Sequence, residues 1–173
     1  GSYYGSSSHI ITLNKCIELT ETFKVIRDTL IDIDFVDRRY IGVEDVRIFY
    51  DTISEDIQFI GSGCHQNNTI GIVRGIYDIT TNVDSNAKLV VTEIKPAFKL
   101  DTTCEKNWIY VTYKGETHVI YSWFPLHICK IDKSKSLLET VEKLPMPAIF
   151  KHVRGSSCGF NSQDLFGCTE IWF

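Results

Sequence analysis

The sequence lacks most of the features that would assign a function class at sight. No apolar run approaches the ~18 residues that cross a bilayer as a helix, so no membrane is expected as a partner. No charged stretch followed by an apolar one opens the chain, so no secretory signal is read. There is no Cys-x-x-Cys, and no His or carboxylate cluster has ligand spacing, so no metal is implied. Nor is there a basic excess: 18 Lys and Arg stand against 22 Asp and Glu, a net charge of −4. That balance argues against a nucleic-acid partner held by phosphate neutralisation.

What remains is a globular composition, 43% apolar and 23% charged over 173 residues, the size of one domain. Gly1-Ser2 reads as a tag remnant, residues 1–9 as a disordered lead and 10–173 as a single domain. The six cysteines, at 16, 64, 104, 129, 158 and 168, mostly lie in apolar runs such as His127-Ile128-Cys129. They read as buried thiols of a reducing, intracellular setting, virion-associated included. Cys64 and His65 are adjacent, and neighbours in a strand face opposite ways, so no thiol–imidazole pair is expected. Asn67-Asn68-Thr69 matches a glycosylation sequon, and one match is little support for secretion.

The dominant pattern is β. Runs rich in Val, Ile, Tyr, Phe and Trp cover 10–13, 46–50, 57–60, 70–79, 88–94, 108–113, 118–123, 127–131 and 169–173. Turn clusters separate them: Gly61-Ser62-Gly63, Asn67-Asn68, residues 82–86, Lys114-Gly115-Glu116 and Gly155-Ser156-Ser157. Tyr113-Lys114-Gly115-Glu116-Thr117 predicts a tight hairpin. Val119-Ile120-Tyr121-Ser122-Trp123 is apolar on both faces, as an inner strand would be. Residues 134–144 fit either a helix, with Leu137, Leu138, Val141 and Leu144 at helical spacing and a Ser136–Glu139 capping box, or an outer edge strand.

A faint repeat of roughly 50 to 60 residues runs through the chain, each unit a polar motif, a strand, a hairpin strand and a returning strand. The motifs are Glu44-Asp45-Val46-Arg47, Glu105-Lys106-Asn107-Trp108 and Arg154-Gly155-Ser156-Ser157. That spacing suits propeller blades near 10–40, 41–95, 96–150 and 151–173, whose first strands line a central channel. In an extended strand Asp45 and Arg47 share one face and Glu44 takes the other. The Arg can hold a carboxylate ionised, hold an anionic substrate, or form a buried ion pair at the strand start. Trp108 and Trp123 can be sugar platforms or plain core, and Arg154 can set a cation beside close-approaching amides or simply lie in a loop. Two carboxylates at one channel, Asp45 and Glu105, suit glycoside hydrolysis, where inversion needs them ~6.5–9.5 Å apart.

In order, these motifs resemble the five-bladed β-propellers around glycoside hydrolase family 130, the mannoside phosphorylases, and the related furanosidase propellers. The pairing of Glu105-Lys106-Asn107-Trp108 with Tyr121-Ser122-Trp123-Phe124-Pro125 looks most similar to propeller domains of large DNA viruses and of glycan-related proteins. The resemblance implies Asp45 as general acid, Arg47 at the sugar or anion site, Lys106 and Asn107 at sugar hydroxyls or phosphate, and Arg154 as a later site arginine. Val46 stands where that family has proline, and its later His motif has no counterpart up to Phe173. The implied function is a carbohydrate-active propeller acting on glycosidic bonds, hydrolase or phosphorylase, with phosphate as co-substrate and no cofactor. The substrate-binding set would be Glu44, Arg47, Lys106, Asn107, Trp108, Trp123 and Arg154. The alternative is a non-catalytic glycan-binding or structural module. Five blades would need about 250 to 300 residues, so about three are expected here. A longer parent chain or a second copy would supply the rest, unless the fold is a β-sandwich.

Overall fold

Runs rich in Val, Ile, Tyr and Trp fold as strands, and among the described residues helix is confined to one 3-10 turn, Ala148–His152. The computed structural model of the chain describes residues 10–33, 40–67, 69–77, 88–100, 106–155, 157–161 and 170–173. The strands are β1 (Ile10–Ile11), β2 (Asn14–Leu19), β3 (Val25–Ile33), β4 (Tyr40–Ile41), β5 (Glu44–Asp51), β6 (Asp56–Cys64), β7 (Ile70–Tyr77), β8 (Lys88–Leu89), β9 (Thr92–Pro96), β10 (Ile109–Tyr113), β11 (Glu116–Trp123), β12 (Leu126–Asp132), β13 (Leu137–Leu144), β14 (Phe160–Asn161) and β15 (Ile171–Trp172).

Eight of them make one sheet in the order β5-β6-β7-β9-β13-β12-β11-β10. It consists of two antiparallel meanders, β5-β6-β7-β9 and β10-β11-β12-β13, joined by parallel pairing of β9 with β13 through Leu137↔Lys95 and Leu138↔Pro96. The sheet curls until its end strands meet, with the rings of Phe49 on β5 and Tyr110 on β10 at 5.4 Å. Each meander has the strand number and connectivity of a propeller blade. The two join edge to edge, whereas propeller blades stack face to face about an axis. The all-β class therefore stands, as a nearly closed, barrel-like sheet.

Pairing register fixes which side chains point inward. Phe49, Ile60, Ile72, Ile94, Trp108, Tyr110, Val119, Cys129 and Leu138 form the interior cluster. Alternate positions point outward into two smaller clusters. Val43, Phe59 and Val73 are covered by Ile31 of β3, so the β2-β3-β8 sheet lies against that wall. Ile109, Val111 and Ile120 are covered by Trp123, Leu126 and Cys158. Beside them, Phe173 of the C-terminal segment meets Trp123 edge-on at 4.9 Å. Val119 and Ile120 thus enter different clusters, as a strand apolar on both faces requires. The exposed edge of β10 is blunted by the Cys158–Gly159 segment: Gly159 N–H donates to Tyr110 O at 2.9 Å, and Tyr110 N–H donates to Cys158 Sγ at 3.4 Å.

Local chemistry explains the agreements and the departures. The predicted hairpin forms with Lys114 and Gly115 as its two turn residues, both at positive φ, the geometry that matches strand twist. Residues 134–144 supply the strand β13 and not a helix, with Ser136 in the preceding turn at φ 55°. Strand β12 flanks its whole length but β9 pairs only with Leu137 and Leu138, so beyond Leu138 it is the expected outer edge. Gly61-Ser62-Gly63 is strand interior, not turn. A Cβ on Gly61 would lie 2.7 Å from the Glu44 carbonyl, so only glycine lets β5 and its approach pack there. The strands β2 and β3 escape the apolar-run reading because charges pair across them, Lys15 with Asp28 at 2.8 Å and Arg27 with Glu18 at 3.3 Å. The expected alternation of Glu44, Asp45 and Arg47 fails at a bulge: Asp45 has φ 52° and the register shifts between Glu44 and Arg47. No disulfide links the described cysteines, and Cys104 and Cys168 lie outside the described residues. No helix among the described residues is long and apolar enough to cross a membrane.

Candidate functional site

Strand direction decides what gathers at each end of the barrel. Strands β5, β7, β10 and β12 run one way and β6, β9, β11 and β13 the other. The starts of β5 and β10 therefore share an end with the finishes of β9, β11 and β13. At that end the barrel opens into a cleft of about 760 Å³. Phe98 and Lys99 follow β9, Lys106 and Asn107 precede β10, and Tyr121 to Trp123 close β11. The Phe124-Pro125 turn, His127, Lys143, Phe150, Lys151 and the Val153–Gly155 arm complete the wall.

The floor of this mouth is aromatic. Phe98 meets Tyr121 edge-on at 4.9 Å and His127 at 4.6 Å. Trp108 lies behind Tyr121, ring centroids 6.4 Å apart and stacked. Phe124, 41% exposed at the β11–β12 turn, carries the Lys151 ammonium 5.1 Å from its ring centre. The Tyr121 hydroxyl and the Trp123 indole N–H are buried and make no hydrogen bond among the described residues. The rim is cationic: Lys99, Lys106, Lys143, Lys151 and Arg154 line it, and no described carboxylate does.

His127 holds Thr140 Oγ1 at 2.8 Å. Burial, with the Lys143 charge adding to it, lowers its pKa to about 4. Unfolded, the imidazole takes its proton near 6.5; folded, near 4. Its contribution to stability is therefore complete above pH 6.5 and is lost as pH falls toward 4. The expected result of an NMR titration is a His127 ring that stays neutral from pH 8 to about 5.5, whereas a midpoint near 6.5 would mean the imidazole is not enclosed.

The opposite end is a smaller cavity of about 230 Å³ over a buried polar chain. Asp51 accepts from the Ile53 N–H at 3.0 Å and from Gln58 Nε2 at 2.9 Å, and Gln58 Oε1 accepts from Arg74 Nη2 at 3.2 Å. Burial pushes the Asp51 carboxyl up, but hydrogen bonds from Ile53, Thr117 and Ser54 outweigh it and hold the group below its usual range. This network pins the β5–β6 turn to the barrel interior.

The mouth brings together four of the residues expected at a site: Lys106, Asn107, Trp123 and Arg154. Trp108 is buried in the interior cluster beneath it. Arg47 is half-buried on the interior face beside Phe49, close enough to Cys158 for its charge to act on that thiol. Glu44 and Asp45 are exposed at the β5 bulge at the same end and do not line the cleft. Glu105 lies outside the described residues. Phe98, Lys99, His127, Lys143 and Lys151 were not expected; their signal is position at strand ends that share a barrel end, not any local motif.

The fold and mouth define a class, a barrel-like β-sheet with an aromatic, cation-rimmed opening. Neither a family model, nor a curated protein, nor a solved structure matches this chain.

Proposed function

We propose that the protein is a glycan-binding module that holds its ligand, without turnover, at the aromatic mouth. The observation that carries the reading is the floor of Phe98, Tyr121, Trp123 and Phe124 surrounded by side-chain donors. Flat rings offer apolar faces to the C–H faces of a pyranose, and the surrounding donors reach its hydroxyls. An open cleft of about 760 Å³ has room for more than one sugar unit. The opening of the two meanders at one end by Glu44-Asp45-Val46-Arg47 and Lys106-Asn107-Trp108 agrees with the resemblance to sugar-acting propellers. Binding is favoured over hydrolysis or phosphorolysis because Asp45, the candidate acid, does not line the cleft.

A glycan array followed by calorimetry tests this. Saturable binding is expected, weakened about threefold to tenfold in Phe124→Ala, the loss of one stacked ring. A β-mannoside panel with and without phosphate should show no product. Product release that Asp45→Asn abolishes would replace the binding reading with the enzymatic one.

A further inference from the structure

The cations of this protein are not used alike. Away from the mouth five are neutralised by carboxylates: Lys15 by Asp28, Arg27 by Glu18, Lys114 by Glu142, Lys130 by Glu116 and Lys135 by Asp132. Lys24, Arg47, Arg74, Lys95 and Lys133 lie scattered without an ion pair among the described residues. At the mouth, Lys99, Lys106, Lys143, Lys151 and Arg154 have no ion-pair partner among the described residues. Two of them are held over rings instead, Lys143 at 5.9 Å from Phe98 and Lys151 at 5.1 Å from Phe124. The chain has more acid than base, so five cations gathered at one opening with no described carboxylate run against its overall composition. Five like charges around one opening repel each other, and a low-dielectric floor strengthens the field between them. A bound anion relieves that repulsion.

Resting on the glycan reading above, we infer that the ligand is an acidic glycan, a chain carrying sulfate or uronate groups, with a ring on the aromatic floor and its anions met by the rim cations. Four of the five cations are lysines, point charges on flexible stems that follow anions spaced along a chain. Arg154 supplies the one planar fork suited to a bidentate sulfate or carboxylate. The basicity of His127 is lowered chiefly by burial, and the Lys143 charge beside it adds to that.

Calorimetry on the full chain would use five probes: an N- and O-sulfated heparin-type hexasaccharide, its desulfated counterpart, a hexagalacturonate, neutral mannohexaose and hexathymidylate. The sulfated hexamer, the uronate hexamer or both should bind at least about tenfold tighter than mannohexaose at low salt, and the advantage should shrink as salt rises. The two acidic arms tell sulfate from uronate. The exposed pair Lys106→Ala/Arg154→Ala should remove most of that advantage, weakening the acidic hexamers several-fold more than mannohexaose; Lys151→Glu should do the same by charge reversal. Equal affinity for charged and neutral hexamers would overturn the acidic ligand and leave the glycan module standing. Binding of hexathymidylate alone, or of none of the sugars, would overturn both.

Discussion

Tyr110→Ala is expected to lower the unfolding free energy by about 3–5 kcal/mol, the range for removing a buried aromatic ring. Against the roughly 5–15 kcal/mol of an ordinary domain, that brings the fold close to collapse. The position explains the size. Tyr110 is 1% exposed and stands on β10, where the curled sheet meets its other end. No strand ladder links β5 to β10 among the described pairings, so the seam is held by side chains, with Tyr110 against Phe49. Urea denaturation followed by tryptophan fluorescence reads the change; a loss under about 1 kcal/mol would mean the barrel does not close there.

Tyr110→Phe separates the ring from its hydroxyl. Burial pushes the Tyr110 phenol up to about 12, against the pull of the neighbouring Arg74 charge. The unfolded phenol loses its proton near 10 and the folded one near 12. Between those values the unfolded state binds fewer protons, so stability falls with rising pH, by about 1.4 kcal/mol per unit for this group, and is flat below. Cys129, whose thiol burial also raises to about 12, adds a fall in the same direction that begins near 9. Tyr110→Phe should keep neutral-pH stability within about 1 kcal/mol and make the fall between pH 10 and 12 shallower by about 1.4 kcal/mol per unit, the share of this one group. An unchanged slope would show that the phenol is not enclosed.

The β class and its hairpins were legible because they rest on short-range chemistry: β-branched and aromatic runs, and a Lys114-Gly115 pair that only a two-residue turn uses well. Closure was not, because it depends on β9 lying parallel to β13 and on Tyr110 meeting Phe49, contacts between residues 40 or more apart in sequence. Residues 134–144 show the same limit. Leu137, Leu138, Val141 and Leu144 satisfy a helical period, and burial of Leu138 between β12 and β9 makes them a strand. At the mouth, Lys106, Asn107, Trp123 and Arg154 could be singled out because each belongs to a dense motif. Lys99, Lys143 and Lys151 look like any solvated lysine until strand direction places them around one opening. Net charge concealed the feature outright: a sum of −4 says nothing of where cations go unpaired.

Gly155→Ala should damage the mouth without touching any charge. Gly155 is buried, and a Cβ there would lie 2.6 Å from the Asn107 carbonyl oxygen and 2.9 Å from Ile109 Cγ2. The carbonyl is backbone and Ile109 is packed in the outer cluster, so neither can give way cheaply. The arm carrying Arg154 must move off Asn107, which costs about 1–3 kcal/mol of stability by overpacking. It also displaces Arg154, so affinity for the ligand should fall at least about tenfold. Gly115→Ala is the companion measurement. Gly115 sits at φ 77° with nothing within 4 Å, so its alanine variant carries only the conformational cost, about 1 kcal/mol, at the hairpin end far from the mouth. Its affinity should equal that of the unmodified protein. Calorimetry and urea melts on the pair therefore separate general destabilisation from loss of the site: wild-type affinity in Gly155→Ala would remove the Arg154 arm from the binding surface.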